Sequence, residues 1–168
     1  MRAAGIVLAI AIALALQTSL TRFLVRGTFA VDLVLVAVVY VALTSGPVTG
    51  MFSGTFAGLI QDALGSGIIG IGGLAKTVVG FLTGVIGTQF IVANTLPRFV
   101  VFFAATIVHQ ALFLGLYLLL DRHFTVPYAA IAGQALGNAL VGIVAFNIVE
   151  LLPGAVERRR AQRGRLRR

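Results

Sequence analysis

The sequence predicts an all-α integral membrane protein, folded as a compact bundle of about six transmembrane helices. Of its 168 residues, 59% are hydrophobic and only 11% are charged, and the mean hydropathy is +1.04. Soluble domains have about 45–50% apolar and about 25% charged residues. Lipid is therefore expected to surround most of the chain. Six spans of about 20 residues use about 120 residues, so only short loops and a tail remain.

Six apolar runs follow one another along the chain. The first is interpreted as a retained span, and the small residues at 13–15 leave a cleavable signal peptide as the alternative. The second begins with Asp32, and helix starts favour acidic residues because their N–H groups are unpaired. The third begins at Pro47, a residue well suited to a first helical turn. The runs cover residues 3–20, 30–43, 47–64, 73–92, 98–120 and 126–152.

Glycine and proline separate the later runs. Residues 65–73 contain five glycines, which argues against a regular helix in that segment. Pro153-Gly154 is expected to end the sixth span. The predicted domains are therefore a six-helix transmembrane domain over residues 1–154 and an arginine-rich, disordered cytoplasmic tail over residues 155–168.

Basic residues are concentrated at the C-terminus. The formal net charge is +8, and seven of the thirteen basic residues are arginines in the last eleven positions. This placement indicates the cytoplasmic face of a membrane rather than a nucleic-acid partner. Six spans place Arg2 and Arg98 on the same side as the tail, so both termini are predicted to be cytoplasmic, whereas five spans would separate them. The arginines expected to contact anionic lipid in the bilayer are Arg158, Arg159, Arg160 and Arg163.

A row of glycines at four-residue intervals is the strongest pattern in the sequence. Lipid gives helices no hydrophobic reason to associate, so spans are held together by close backbone approach. The row is interpreted as a packing face, either against a neighbouring span or against the transmembrane helix of a partner. Its members are Gly46, Gly50, Gly54 and Gly58.

Charged residues at the ends of spans are expected to pair. Asp62 and Lys76 flank the glycine-rich segment near one membrane face, where an Asp62–Lys76 pair would neutralise both charges. Two independent interfacial charges are the alternative. Arg98 and Glu150 fall near the opposite face and can also pair.

Three polar residues lie at similar depths on the fifth and sixth spans. His109, Gln134 and Asn138 are predicted to form a buried polar cluster, because polar side chains inside a membrane bind one another across helices. A structural role for the histidine and a small-molecule cavity are the two interpretations of this cluster.

The sequence predicts no catalytic, cofactor-binding or metal site, and hence no enzyme. It has no cysteine, only five acidic residues and two histidines. His109 and His123 are fourteen positions apart, and no carboxylate lies beside His109 to complete a metal site. The glycines before Lys76 lack the phosphate-binding pattern of a P-loop.

Specific motifs between residues 31 and 84 resemble a known family. The glycine row is followed by Leu-Ile-Gln-Asp-Ala-Leu-Gly-Ser at residues 59–66, and then by Gly-x-Gly-Gly-Leu-x-Lys-Thr at residues 70–77 and Gly80-Phe81. Asp32-Leu33 resembles a Pro-Asp-Leu helix start, with valine in place of the proline. Together these motifs resemble the bacterial rod shape-determining protein MreD family.

The resemblance implies a non-enzymatic scaffold of the cell-elongation complex in the bacterial cytoplasmic membrane. The implied partner is a single-span MreC-like protein, which links indirectly to RodA, a class B penicillin-binding protein and MreB in peptidoglycan synthesis. The family is similar in fold to the S components of energy-coupling factor vitamin transporters. A substrate-binding S component is therefore the alternative function. The absence of tryptophan and the presence of only three tyrosines favour the scaffold, because vitamin pockets are rich in aromatic side chains.

Overall fold

The structure is a computed structural model that describes residues 3–23, 31–65, 67–89, 94–122 and 126–165. All regular secondary structure in these residues is helical, as the sequence predicts. The six helices are α1 (Ala3–Phe23), α2 (Leu33–Ser45), α3 (Pro47–Leu64), α4 (Ile71–Gln89), α5 (Thr95–Leu119) and α6 (Tyr128–Arg165).

Three of these helices are long and apolar enough to cross a membrane. By length and composition they are α4, α5 and the Tyr128–Glu150 part of α6. Helix α2 and the Ala3–Ser19 part of α1 are apolar but shorter. The all-helical class is thus confirmed for the described residues, whereas the six spans and the S-component-like arrangement stay predictions.

Helix α2 lies at the centre of the fold and contacts each of the other five helices. It is apolar on all sides, as expected of a helix with no face toward solvent. On one side, its residues Leu35, Val36 and Val39 pack in a cluster with Val79 of α4, Phe102 of α5 and Phe146 of α6. On its other side, Val34 and Val38 pack with α1 and α3. The α1 residues in this second cluster are Ile10, Ala13 and Leu14.

Helices α3 and α4 pack with their backbones in contact. At Gly50, Gly54 and Gly58, an added Cβ atom would overlap atoms of α4. These glycines are one turn apart, so they form a continuous groove along α3. The structure therefore places this part of the glycine row against a neighbouring helix of the same chain. The α4 residues in the groove are Gly80, Lys76 and Gly73, respectively.

Gly46 has a different role from the rest of the row. It lies between α2 and α3 with φ +87°, a conformation that L side chains rarely adopt. Its N–H donates to the Ala42 carbonyl at 3.0 Å, which closes the end of α2, and Pro47 then begins α3 as predicted. Gly46 therefore serves the turn and also lies against α4, because an added Cβ atom at Gly84 would come within 2.7 Å of its carbonyl carbon.

Several helix boundaries differ from the prediction, and α5 begins at Thr95, before the predicted Arg98. Helix α4 begins at Ile71, so Gly72 and Gly73 are helical and the irregular connection is shorter than predicted. Helix α6 does not end at Pro153-Gly154, because it continues to Arg165. A proline removes one helical hydrogen bond, but the residues after it are mostly alanine, arginine, glutamate and glutamine, which favour helix.

Candidate functional site

The first turn of α2 is buried, and side chains cap it. Asp32 is 6% exposed, and its Oδ1 accepts a hydrogen bond from the Leu35 N–H at 2.9 Å. The Leu33 N–H donates to Oε1 of Gln17 on α1 at 2.8 Å. The Asp32 N–H donates to Oδ1 of Asn138 on α6, also at 2.8 Å. Three N–H groups at this helix start are thus satisfied, one by the Asp32 side chain itself and two by neighbouring helices.

A buried ion pair joins α2 to α4. Lys76 Nζ lies 2.9 Å from Asp32 Oδ2, and the side chains are 3% and 8% exposed. Lys76 Nζ also lies 3.2 Å from Nε2 of His109 on α5. An ammonium group can only donate hydrogen bonds, so Nε2 is the acceptor. We therefore assign the proton of the neutral His109 ring to Nδ1.

The predicted Asp62–Lys76 pair is wrong, since Lys76 binds Asp32 instead. Oδ2 of Asp62 accepts hydrogen bonds from the N–H groups of Gly70 and Gly73, at 2.9 and 3.0 Å. The carboxylate thus caps the start of α4, where unpaired N–H groups and the helix dipole attract negative charge. Lys76 lies further along α4.

The predicted polar residues of α5 and α6 lie in the same region but bind different partners. His109 binds Lys76, whereas Asn138 donates from Nδ2 to the Thr106 hydroxyl at 3.1 Å. Gln110 donates to the side-chain oxygen of Gln134. Asn138 and His109 are buried, so this network ties α2, α4, α5 and α6 together through polar groups.

A polar cavity of about 300 Å³ adjoins this network. It lies where α3 and α5 end and where α2, α4 and α6 begin, which is the end of the bundle opposite the N-terminus of α1. The Tyr117 hydroxyl accepts a hydrogen bond from the Ile68 N–H at 3.2 Å, which joins α5 to the α3–α4 connection. The residues whose side chains give the cavity its polar character are Asp32, Gln61, Asp62, Lys76, His109, Gln110, Tyr117 and Gln134.

Two buried polar atoms of cavity-lining residues have no hydrogen-bond partner within the described part of the chain. They are Nδ1 of His109 and Oε1 of Gln61. A buried donor or acceptor without a partner costs about 1–3 kcal/mol. Both atoms therefore have unused hydrogen-bonding capacity next to a polar cavity.

An ion pair at the other end of the bundle joins α5 to α6. The Arg98 guanidinium donates to both carboxylate oxygens of Glu150, at 3.0 and 2.6 Å. It also lies 3.9 Å from the ring centre of Phe146. The predicted Arg98–Glu150 pair is thus confirmed. The side chains of Arg158, Arg159, Arg160 and Arg163 lie outside what the structure describes, so their predicted lipid contacts remain predictions.

Sequence reasoning missed the partner of Lys76 and several residues of the cavity. Successive spans alternate in direction, so α2 and α4 are expected to start at the same end of the bundle. This rule makes Asp32 a candidate partner of Lys76 beside Asp62. It does not choose between them. Thr106, Gln110 and Tyr117 share one helix face with His109 at i, i+3, i+4 and i+11 spacing, and this polar stripe is the signal that could have found them.

Comparison with known proteins identifies the family. Residues 3–152 match a family model described as rod shape-determining protein MreD. No curated protein and no solved structure matches the chain. The matched region begins with α1 and extends into α6, and it includes the capped start of α2, the α3–α4 packing and the polar cavity. The chain therefore belongs to the MreD family of rod shape-determining membrane proteins.

Proposed function

We propose that this protein is a non-enzymatic scaffold of the complex that elongates the cell wall of rod-shaped bacteria. The observation that carries the proposal is the family match over residues 3–152, which implies a role in determining rod shape. In this proposal the chain crosses the cytoplasmic membrane six times, and both termini are cytoplasmic.

The proposed partner is a single-span MreC-like protein, which connects the chain to RodA, a class B penicillin-binding protein and MreB. The groove formed by Gly50, Gly54 and Gly58 is occupied by α4. A partner helix therefore has to bind a different surface, unless α3 and α4 separate. This favours contact through the outward faces of the bundle or through its ends.

The charged network supports a structural role. Lys76 binds both Asp32 and His109, and Asp62 caps α4. Removing one partner of a buried charge pair is strongly destabilising, at about 3–5 kcal/mol. Such a network fixes the relative positions of α2, α4 and α5, which suits a scaffold that presents a fixed surface.

The proposal is tested by depletion and copurification in a rod-shaped host. Depletion should round the cells, and the wild-type chain should restore the rod shape. An MreC-like protein should copurify with the wild-type chain in mild detergent. The transporter alternative predicts a growth defect that an external vitamin relieves while cell shape stays intact, and that result would contradict the scaffold.

A further inference from the structure

We propose that the polar cavity binds a small uncharged molecule that carries hydroxyl or amide groups. Its volume of about 300 Å³ is at the lower end of the about 300–1,000 Å³ range of ligand pockets. This inference goes beyond the scaffold function and rests on it only for the position of the cavity in a membrane.

The depth of the cavity follows from the short central helix. Helix α2 has 13 residues, which gives a length of about 20 Å, whereas the hydrocarbon core of a bilayer is about 30 Å thick. At least one end of α2 therefore lies below the membrane surface, and we place the start there, because Asp32 is buried and side chains of α1 and α6 accept hydrogen bonds from its first N–H groups. Irregular backbone at such a depth is tolerated where it is buried in protein or lines a water-filled cavity. The cavity beside Asp32 meets this requirement.

The cavity is closed toward the other end of the bundle. Beyond the Asp32–Lys76 pair, the core is filled by the buried apolar side chains of Val39, Val79 and Phe102, which belong to one packed cluster. A polar cavity that ends against such a core provides a place to bind a molecule but no path for it to cross. Binding, rather than transport by the chain alone, follows from this shape.

The charges of the cavity disfavour an anionic ligand. The carboxylate of Asp32 and the ammonium group of Lys76 neutralise each other at 2.9 Å. The carboxylate of Asp62 adds one further negative charge, and it already accepts hydrogen bonds from two backbone N–H groups. A phosphate or carboxylate ligand would be repelled by this group, and the repulsion is strong where water is scarce.

The hydrogen-bonding groups of the cavity point to a ligand that both donates and accepts. His109 offers a donor at Nδ1, and Gln61 offers an acceptor at Oε1. The hydrogen bond between Gln110 and Gln134 uses one donor and one acceptor of this amide pair, so each side chain keeps its other polar atom. An ammonium ligand cannot accept from His109, and a carboxylate cannot donate to Gln61. Hydroxyl and amide groups do both.

Aromatic side chains provide an apolar wall for the same molecule. The rings of Phe113 and Tyr117 pack with their centres 4.9 Å apart, and both residues line the cavity. Ligand pockets combine such apolar surface with a few placed polar groups. The Tyr117 hydroxyl also holds the backbone of Ile68 at the edge of the cavity, so Ile68 is a suitable reporter position.

The absence of cysteine from the chain allows a direct test with the full-length protein. Ile68→Cys is purified in detergent, and its reaction with a maleimide is timed with and without a probe. The neutral probes are N-acetylglucosamine and myo-inositol, and the anionic control is N-acetylglucosamine 6-phosphate. At about twice the Kd, mass action predicts about threefold slower labelling with a neutral probe and no change with the phosphate.

Glutamine variants show whether the protection depends on this cavity. Gln61→Leu and Gln134→Leu should each abolish protection, whereas Gln89→Leu, an exposed glutamine at the other end of α4, should keep it. Thermal unfolding without a probe identifies any variant that fails to fold. If either Gln61→Leu or Gln134→Leu fails to fold, the variant that folds decides the result.

A final arm distinguishes a soluble molecule from a lipid headgroup. The labelling is repeated in phosphatidylcholine nanodiscs with or without a neutral glucosyl diacylglycerol. If only the glycolipid slows labelling, the ligand has the proposed hydroxyl chemistry and is a lipid headgroup. The proposal is overturned if neither the soluble probes nor the glycolipid slows labelling, if the phosphate protects equally, or if both cavity glutamine variants fold and retain protection. Protection given only by a copurifying protein would also overturn it.

Discussion

Lys76 is held by a carboxylate on one side and by an imidazole nitrogen on the other, and both contacts are buried. Lys76→Met should leave Asp32 as an unpaired buried charge, which costs about 3–5 kcal/mol. The double variant Asp32→Asn, Lys76→Met should recover much of this loss. Thermal unfolding in detergent measures both. A double variant no more stable than Lys76→Met would show that the pair is not the main contribution of these residues.

Asp62 makes a separable prediction, because it caps α4 instead of binding Lys76. Asp62→Ala should cost about 0.5–2 kcal/mol, as expected for a lost helix cap. Asp62→Asn should cost less, since its amide oxygen still accepts hydrogen bonds. Adding Lys76→Gln to Asp62→Ala should lower the free energy of unfolding further. If Lys76→Gln instead raised the stability of Asp62→Ala, the result would support the Asp62–Lys76 pair predicted from the sequence.

The contact between α3 and α4 depends on the absence of side chains. Gly54→Ala would place a Cβ atom against the backbone of Lys76, so it should destabilise the protein toward the upper end of the about 1–3 kcal/mol that overpacking costs. Gly115→Ala on α5 is the matched control, because nothing lies within 4 Å of its added Cβ. It should be neutral or slightly stabilising, since alanine favours helix.

Comparing the unfolding temperatures of these two variants in the same detergent tests the contact. Equal effects at Gly54 and Gly115 would show that helix propensity, and not backbone contact, determines the cost. If Gly54→Ala lost a copurifying partner but kept its stability, the groove would bind a partner helix. That result would contradict the packing of α3 against α4.

The elements that carry local signals could be predicted from the sequence. Helix α3 begins at Pro47 and ends at Leu64 as predicted, because a turn precedes it and glycines follow it. Asp32 caps α2 as its position suggested. The end of α6 was not predictable from Pro153 alone, because the helix formers beyond it outweigh one lost hydrogen bond. Local signals thus located both ends of α3, whereas they missed the start of α4 and the end of α6.

The arrangement of charges depends on the whole fold and was less predictable. The sequence places Arg98 and Glu150 near the same end of the bundle, where they can pair, and the structure confirms the pair. At the other end, Asp32 and Asp62 both compete for Lys76. The choice depends on which side of α4 faces α2, and periodicity does not determine this because α4 has small residues on several sides. The cavity follows from the same packing.

The orientation of the whole molecule is the last prediction. The arginines at residues 158–168 should keep the C-terminus cytoplasmic, and six spans then place the N-terminus there as well. Because the chain has no cysteine, single variants report each position without background. In spheroplasts, an impermeant maleimide should label Arg122→Cys but neither Ala4→Cys nor Arg168→Cys, and permeabilisation should expose all three.

An odd number of spans gives a different pattern, since it separates the two termini. Labelling of Ala4→Cys in intact spheroplasts, with Arg168→Cys protected, would contradict the six-span bundle. Replacing the four arginines Arg158, Arg159, Arg160 and Arg163 with glutamine tests the cause. If they orient the chain, protection of Arg168→Cys should fall. If protection is unchanged, the packing of the bundle determines the orientation, and the arginines are left with lipid binding as their proposed role.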